Sequence, residues 1–194
     1  NNTLMPALLA MHAGLRIGEV SALKVEDINM EDRLIRIDES LNRVMTFEQD
    51  GSTCCPLIYQ STKSGKVRFV PMNEDLYKAL DTYMNTMPQA YKRNGNAPLF
   101  LTSRETVMEP RRINYHFKKL LNKLNIQDIH FHCLRHTFAT RALEAGIPMK
   151  YCSAMLGHAS TGITENLYAH ASEDQLKKEI KKLNISAYEV PCYV

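Results

Sequence analysis

The stretch His132-Cys133-Leu134-Arg135-His136-Thr137, followed by Leu156-Gly157-His158 and Leu167-Tyr168-Ala169-His170, places imidazoles, a guanidinium and a phenol in a segment patterned like packed helices. Breaking a phosphodiester without a metal needs a nucleophile, cations for the non-bridging oxygens and a proton donor for the leaving oxygen. Arginine suits the second task because its planar fork donates two parallel hydrogen bonds to a phosphate. The stretch therefore predicts phosphate-ester chemistry if the rest of the chain supplies the missing groups.

Length and composition are those of an ordinary globular domain. The chain has 194 residues, of which 44% are hydrophobic and 23% are charged, and this length allows a sizeable core. No apolar run approaches the roughly 20 residues of a membrane span, and no secretory signal is visible. We therefore expect no membrane partner. Because the chain opens with Asn1-Asn2-Thr3 and not with Met, we expect it to be an excised domain.

Cysteine usage favours a reduced compartment over a disulfide or metal framework. The five cysteines are an odd number and show no Cys-x-x-Cys spacing; they are Cys54, Cys55, Cys133, Cys152 and Cys192. Zinc frameworks usually need paired spacings. We predict no metal site and interpret Cys54-Cys55 as loop residues.

Charge is unevenly distributed along the chain. Residues 110–150 carry eight basic and two acidic side chains, whereas residues 1–50 carry five basic and nine acidic ones. A basic half on a chain of net charge +3 suits a polyanion bound on one face. The alternative is a basic helix face that is simply exposed to solvent. If charge were the only evidence, we would favour this alternative over a bound polyanion.

Apolar periodicity predicts a mostly helical α+β domain with a small antiparallel sheet in its N-terminal half. Helices are predicted for residues 3–13, 19–23, 73–85, 110–124, 133–145, 148–156, 160–168 and 172–183. Strands are predicted for residues 33–38, 57–61, 67–71 and 99–101. The segments 57–61 and 67–71 are expected to pair as a hairpin whose turn carries Lys63 and Lys66. Residues 42–56 and 87–98 lack a clear period and are expected to be loop and linker.

Five motifs in this order resemble those of the tyrosine recombinases, the integrases of phages and integrative elements. They are Gly14-Leu15-Arg16-Ile17-Gly18-Glu19-Val20, Thr62-Lys63-Ser64-Gly65 with Val70-Pro71, the His132–Thr137 box, Leu156-Gly157-His158 and Leu167-Tyr168-Ala169-His170. Any one motif is weak evidence, since each residue has a structural explanation on its own. Five in register are strong evidence. One departure is Cys133, because that position of the box is often acidic in the family.

The resemblance implies a role for each residue. Tyr168 would attack the scissile phosphate and form a 3′-phosphotyrosine, with Arg16 and Arg135 clamping the phosphate. His158 would donate a further hydrogen bond, Lys63 would protonate the leaving 5′-oxygen, and His132 would assist proton transfer. The supporting residues would be Glu19, which orients Arg16, and His136 beside Arg135. The phosphotyrosine bond conserves energy, so no cofactor and no metal are implied.

The resemblance also implies the assembly. Residues 1–170 would form a catalytic domain, and residues 171–194 a tail that packs on its own or a neighbouring protomer. An N-terminal DNA-binding domain would precede this chain, and the partners would be double-stranded DNA and three further protomers in a tetramer on paired sites. We expect DNA contacts from Lys66, Arg111, Arg112 and Lys118.

The function implied is site-specific recombination that integrates or excises a mobile element. One alternative is relaxation of DNA by a type IB topoisomerase, which uses a similar set of residues. Another is a non-catalytic DNA-binding regulator derived from an integrase. A metal-dependent nuclease is disfavoured because no carboxylate cluster stands at ligand spacing.

Overall fold

The computed structural model of the chain describes residues 4–47, 52–62, 65–157 and 173–183. Its helices are α1 (Leu4–Ala13), α2 (Ile17–Ala22), α3 (Glu74–Asn85), α4 (Gln89–Arg93), α5 (Pro110–Lys123), α6 (Phe131–Glu144), α7 (Met149–Leu156) and α8 (Glu173–Ile180). Its strands are β1 (Ile28–Asn29), β2 (Leu34–Ile37), β3 (Glu39–Arg43), β4 (Thr46–Phe47), β5 (Thr53–Cys54), β6 (Leu57–Ser61) and β7 (Arg68–Pro71). The predicted α+β class, mostly helical with small antiparallel sheets, is confirmed. None of the described helices is both long and apolar enough to cross a membrane.

Helix α1 forms the centre of the core. Its sequence is apolar almost all round, which is typical of a buried helix, and Leu9 and Ala10 are fully buried. It packs against α6, which contributes Phe138 and Ala142, both fully buried. Because α1 and α6 lie side by side, the turn that follows α1 at Gly14 comes close to residues near the start of α6.

Local signals set two helix ends as predicted, the start of α3 and the end of α7, whereas α2 and α6 each begin two residues before their predicted starts. The side chain of Asn73 accepts a hydrogen bond from the backbone N–H of Leu76 at 3.0 Å and caps α3, as N-cap residues do. Helix α7 ends at Gly157, which has a φ of +62° in the left-handed region that favours glycine. The chain therefore leaves α7 at a defined point, directly before His158.

The strand pairing differs from the predicted hairpin. β6 pairs with β3, where Leu41 opposes Tyr59, and β7 pairs with β2 in the three-stranded sheet β1-β2-β7, where Ile35 opposes Val70. β6 and β7 are therefore neighbours in sequence but belong to different antiparallel sheets. The prediction failed because a turn signal shows where the chain reverses but not which strands pair. Here β6 forms its backbone ladder with β3, and β7 forms its ladder with β2.

Two of the predicted irregular segments contain regular structure. Residues 42–56 were predicted to be loop, but they hold the end of β3 and the β4–β5 pair, in which Thr46 opposes Cys54. The predicted linker 87–98 contains α4. Residues 99–101 were predicted to be a strand, but they contribute only an isolated bridge between Leu101 and Val107. These elements are short, so periodicity over a longer window does not detect them.

Helix α8 packs on the core of its own chain through β7 and α7. Its apolar residues Leu176 and Ile180, and Leu183 beyond it, are all buried. The backbone carbonyl of Leu183 accepts a hydrogen bond from Asn73 Nδ2 at 3.3 Å. Residues 173–183 therefore pack on the same core as the site described next.

Candidate active site

The first arginine of the site, Arg16, is placed by the turn between α1 and α2. It occupies the N-cap position of α2, and its backbone N–H donates to Glu19 Oε2 at 2.8 Å. Its guanidinium Nη1 donates to Glu19 Oε1 at 3.0 Å. One carboxylate thus holds both the backbone and the side chain of Arg16, and the Arg16 side chain remains 30% exposed.

A residue that sequence reasoning did not select completes this contact. Arg68 in β7 donates from Nη1 and Nη2 to the two oxygens of Glu19 at 3.0 and 2.8 Å, and from Nε to the carbonyl of Met155 at 2.9 Å. A signal was available: alternate strand residues share a face, and Arg68 lies two positions before the fully buried Val70. An arginine on an inward face needs a buried partner.

The charge of Glu19 is maintained by its two arginines. Burial by itself would raise the pKa of this carboxyl. The hydrogen bonds and charge of Arg68, together with those of Arg16, outweigh burial and hold the pKa below its usual value. Glu19 is therefore an anion at neutral pH, with only 2% of its surface exposed.

The second arginine, Arg135, reaches the same region from α6. It is 4% exposed and donates from Nη1 to the carbonyl of Gly14 at 2.6 Å and from Nη2 to the carbonyl of Leu156 at 2.7 Å. Burial lowers its pKa to about 10, and the charge of Arg16 adds to the lowering. Arg135 is still a cation at neutral pH and connects the first arginine motif to the end of α7.

Two imidazoles lie on the exposed side of α6, one turn apart. The rings of His132 and His136 meet edge to face, with centroids 4.7 Å apart and an interplanar angle of 89°. Partial burial lowers the pKa of His132, and His136, Arg135 and Arg16 lower it further, in that order. His132 is therefore biased toward the neutral form, which can accept a proton.

An open cavity of about 460 Å³ lies over this group. Arg16, Glu19 and His132 line it on one side, and polar residues of β3 and β6, including Ser40 and Gln60, line the other. Ser61, the last residue of β6, also lies on its wall, two positions before Lys63 in the sequence. The cavity lining thus combines the cation Arg16, its carboxylate partner Glu19, the imidazole of His132 and neutral polar side chains.

The structure brings together some of the predicted residues and not others. Arg16, Glu19 and His132 line the cavity. Arg135 donates to the carbonyl of Gly14 in the turn before Arg16, and the ring of His136 meets that of His132. Lys63, His158 and Tyr168 lie outside the described residues, as does the helix predicted for residues 160–168. Among the residues that the structure does describe, no group of three or more His, Cys, Asp or Glu side chains could hold a metal ion.

The predicted DNA-contact residues are exposed. Arg111, Arg112 and Lys118 lie on the solvent side of α5, whose other side buries Ile113 and Phe117. Lys66 is exposed in the turn before β7. The amphipathic basic helix predicted for this region is therefore present.

The fold and the arginine cluster define an α+β domain of the kind found in solved integrases and recombinases. The integrase of transposon Tn1549, solved in complex with a circular intermediate DNA, is 28% identical with a TM-score of 0.66, over 92% of this chain and 58% of that one. The XerA recombinase is 26% identical with a TM-score of 0.60, over 92% and 57% respectively.

Sequence comparison identifies the family. The chain belongs to the phage integrase family, whose model matches residues 2–175. A tyrosine recombinase XerC-like protein of Caldanaerobacter subterraneus subsp. tengcongensis is 30% identical over 91% of this chain and 48% of its own length. The transposase from transposon Tn916 of Enterococcus faecalis is 33% identical over 91% of this chain and 44% of its own length. The chain thus spans about half the length of these two curated relatives.

Proposed function

We propose that this chain is the catalytic domain of a site-specific DNA recombinase that integrates or excises a mobile element. The observation that carries the proposal is the proximity of two arginines from distant segments. Arg16 lines one cavity with His132, and Arg135, more than a hundred residues further along the chain, donates to the carbonyl of Gly14 in the turn before Arg16. Two guanidiniums beside a proton-accepting imidazole suit the pentacoordinate transition state of phosphoryl transfer, which carries extra negative charge on its non-bridging oxygens. The similarity to a Tn916 transposase and a Tn1549 integrase supports the mobile element.

In the proposed reaction the phenol oxygen of Tyr168 forms a bond to phosphorus, and the bond from phosphorus to the 5′-oxygen breaks. Arg16 and Arg135 stabilise the non-bridging oxygens, with His158 as an additional donor. His132 accepts the phenolic proton, and Lys63 protonates the leaving 5′-oxygen. Rejoining reverses these steps with a 5′-hydroxyl from a partner strand, so the phosphodiester is conserved without a cofactor.

The partners follow from this chemistry. The substrate is double-stranded DNA, held in part by the basic face of α5, and strand exchange between two sites requires several protomers, four in the arrangement that we propose. The complete protein would carry a further DNA-binding domain before this one. Its place of action is the bacterial cytoplasm or nucleoid, where the element's DNA resides.

A nicked suicide duplex made from the ends of the element tests the proposal. We expect a covalent protein–DNA adduct with the wild type and none with Tyr168→Phe, which should bind the duplex normally. Arg135→Lys keeps the charge but not the fork, and should lower the cleavage rate by roughly 100-fold or more. Arg141→Lys on the same helix, at an exposed ion pair with Glu144, is the matched control and should cleave normally.

Three outcomes would count against the proposal. An adduct formed by Tyr168→Phe would remove the assigned nucleophile. Absence of an adduct with the wild type, together with DNA binding, would favour a non-catalytic DNA-binding regulator. Relaxation of supercoiled DNA that lacks the element's ends would favour a topoisomerase over a recombinase.

A further inference from the structure

Arg68 occupies a central position in the site without facing the cavity. Its side chain is 9% exposed, and it donates three hydrogen bonds to buried acceptors, two to Glu19 and one to the carbonyl of Met155. It begins β7, and Lys63 lies five positions before it in the sequence. Arg68 therefore connects three segments of the chain: β7, α2 and the end of α7.

The geometry at Glu19 links Arg68 to Arg16. Oε1 accepts from Nη1 of both arginines, each at 3.0 Å, and Oε2 accepts from Arg68 Nη2 and from the backbone N–H of Arg16, each at 2.8 Å. The two parallel bonds from Arg68 fix the plane of the carboxylate. Rotation of that plane would release the Arg16 guanidinium and its backbone together.

The end of α7 links Arg68 to Arg135 in the same way. The carbonyl of Met155 accepts from Arg68, and the next carbonyl, that of Leu156, accepts from Arg135. A Cβ at Gly157 would lie 3.0 Å from Cδ and Nη1 of Arg68, so the backbone here approaches the guanidinium closely. Consecutive carbonyls at the end of α7 thus accept from Arg68 and from Arg135. Because Arg68 also bonds Glu19, which holds Arg16, the distance between Arg16 and Arg135 depends on Arg68.

We propose that Arg68 is a positioning residue for DNA cleavage: it holds Glu19 and the end of α7 so that Arg16 and Arg135 meet one phosphate. This inference rests on the proposed function. It requires arginine, because the planar fork bonds both carboxylate oxygens and leaves Nε for the carbonyl, whereas lysine offers a single point charge. Arg68 does not touch the phosphate, and it does not act through the proton donor Lys63.

The test compares two leaving groups in single-turnover cleavage by wild type, Arg68→Lys and the control Arg141→Lys. One nicked duplex of the element's end carries the natural 5′-oxygen, and the other carries a bridging 5′-sulfur, which leaves as a thiolate and needs no proton. A misplaced phosphate clamp slows both, since a displacement of about 1 Å costs up to roughly 100-fold. We expect Arg68→Lys to cleave both duplexes about 10- to 100-fold more slowly while binding them within about threefold of wild type.

Each outcome decides a separate point. Cleavage by Arg68→Lys at the wild-type rate would overturn the inference, as would a defect that disappears with the sulfur duplex, since Arg68 would then act through Lys63. No adduct with the wild type would instead overturn the proposed function. If Arg68→Lys does not fold, Glu19→Asp tests the same contact, because it keeps the charge but withdraws the carboxylate by one methylene. The same loss is expected on both duplexes, and a normal rate would contradict the inference.

Discussion

Replacing Glu19 by glutamine should destabilise the domain by about 4 kcal/mol. The Glu19 side chain is 1% exposed, and its two oxygens accept four hydrogen bonds, two from Arg16 and two from Arg68. The glutamine amide has nearly the same shape but only one acceptor oxygen and no charge. At least two of the four donors therefore lose their acceptor, and the amide N–H₂ faces donors.

The magnitude follows from the number of donors that are left without an acceptor. A hydrogen bond to a charged group contributes about 1.5–3 kcal/mol, so two lost bonds cost about 3–6 kcal/mol. Removing one partner of a buried ion pair typically costs about 3–5 kcal/mol. Arg68 is 9% exposed and cannot recover water, whereas Arg16 is 30% exposed and partly can. A value of about 4 kcal/mol reconciles the two ranges.

Urea unfolding followed by far-ultraviolet circular dichroism measures the loss. With a urea dependence of about 2 kcal/mol per molar, the midpoint should fall by about 2 M. Glu144→Gln is the matched control, because Glu144 pairs with Arg141 at 3.1 Å with both side chains about half exposed. Such surface pairs contribute about 0–1 kcal/mol, so the control should unfold nearly as the wild type does.

The pH dependence provides an independent check. The pKa of Glu19 is lowered in the folded chain, because the arginines outweigh burial. Its contribution is therefore complete above the unfolded pKa of about 4.5 and is lost as the pH falls through the folded pKa. The difference between wild type and Glu19→Gln should be constant at neutral pH and shrink in acid. A midpoint shift at neutral pH no larger than that of Glu144→Gln would refute the reasoning.

Three further predictions concern backbone, burial and the imidazole pair. Gly157→Ala and Gly146→Ala both place a Cβ in the left-handed region, at φ +62° and +77°, but only the first crowds another side chain, at 3.0 Å. We expect Gly146→Ala to destabilise the fold by about 1–2 kcal/mol and Gly157→Ala by about 1–3 kcal/mol more, as measured by urea unfolding. Equal losses of stability in the two variants would contradict a steric clash with the crowded side chain at Gly157. Burial raises the pKa of Asp27 to about 6. Asp27→Asn should therefore stabilise the fold by up to roughly 3 kcal/mol at pH 8. Thermal denaturation should show that the variant's higher stability disappears below about pH 4. His136→Gln should raise the pKa of His132 in an NMR titration, because His136 is one of the neighbours that lower it; an unchanged or lower pKa would show that the pair is not coupled.

Much of this fold could be predicted from local sequence signals. Three such signals are the cap at Asn73, the apolar stripe of α5 and the glycine that ends α7. Each depends only on residues a few positions away in the sequence, so it can be recognised without the structure. The motif order around Arg16 and Arg135 also identified two residues that the fold brings to one turn, where Arg16 lines the cavity and Arg135 donates to the carbonyl of Gly14. The β4–β5 pair and α4 were missed, because elements this short carry no measurable period.

The sequence by itself determined the start of α3, the end of α7, the basic face of α5 and the order of the chemical groups. Only the tertiary structure decided that β6 and β7 pair with different strands. It also placed Arg68 on Glu19, 49 residues away, and Arg135 on the carbonyl of Gly14, 121 residues away. The physical reason is that a buried charge must find its counterpart wherever the packed core brings one within hydrogen-bond distance. Helix caps and periodicity describe nearest neighbours, whereas partners of this kind exist only after the chain has packed.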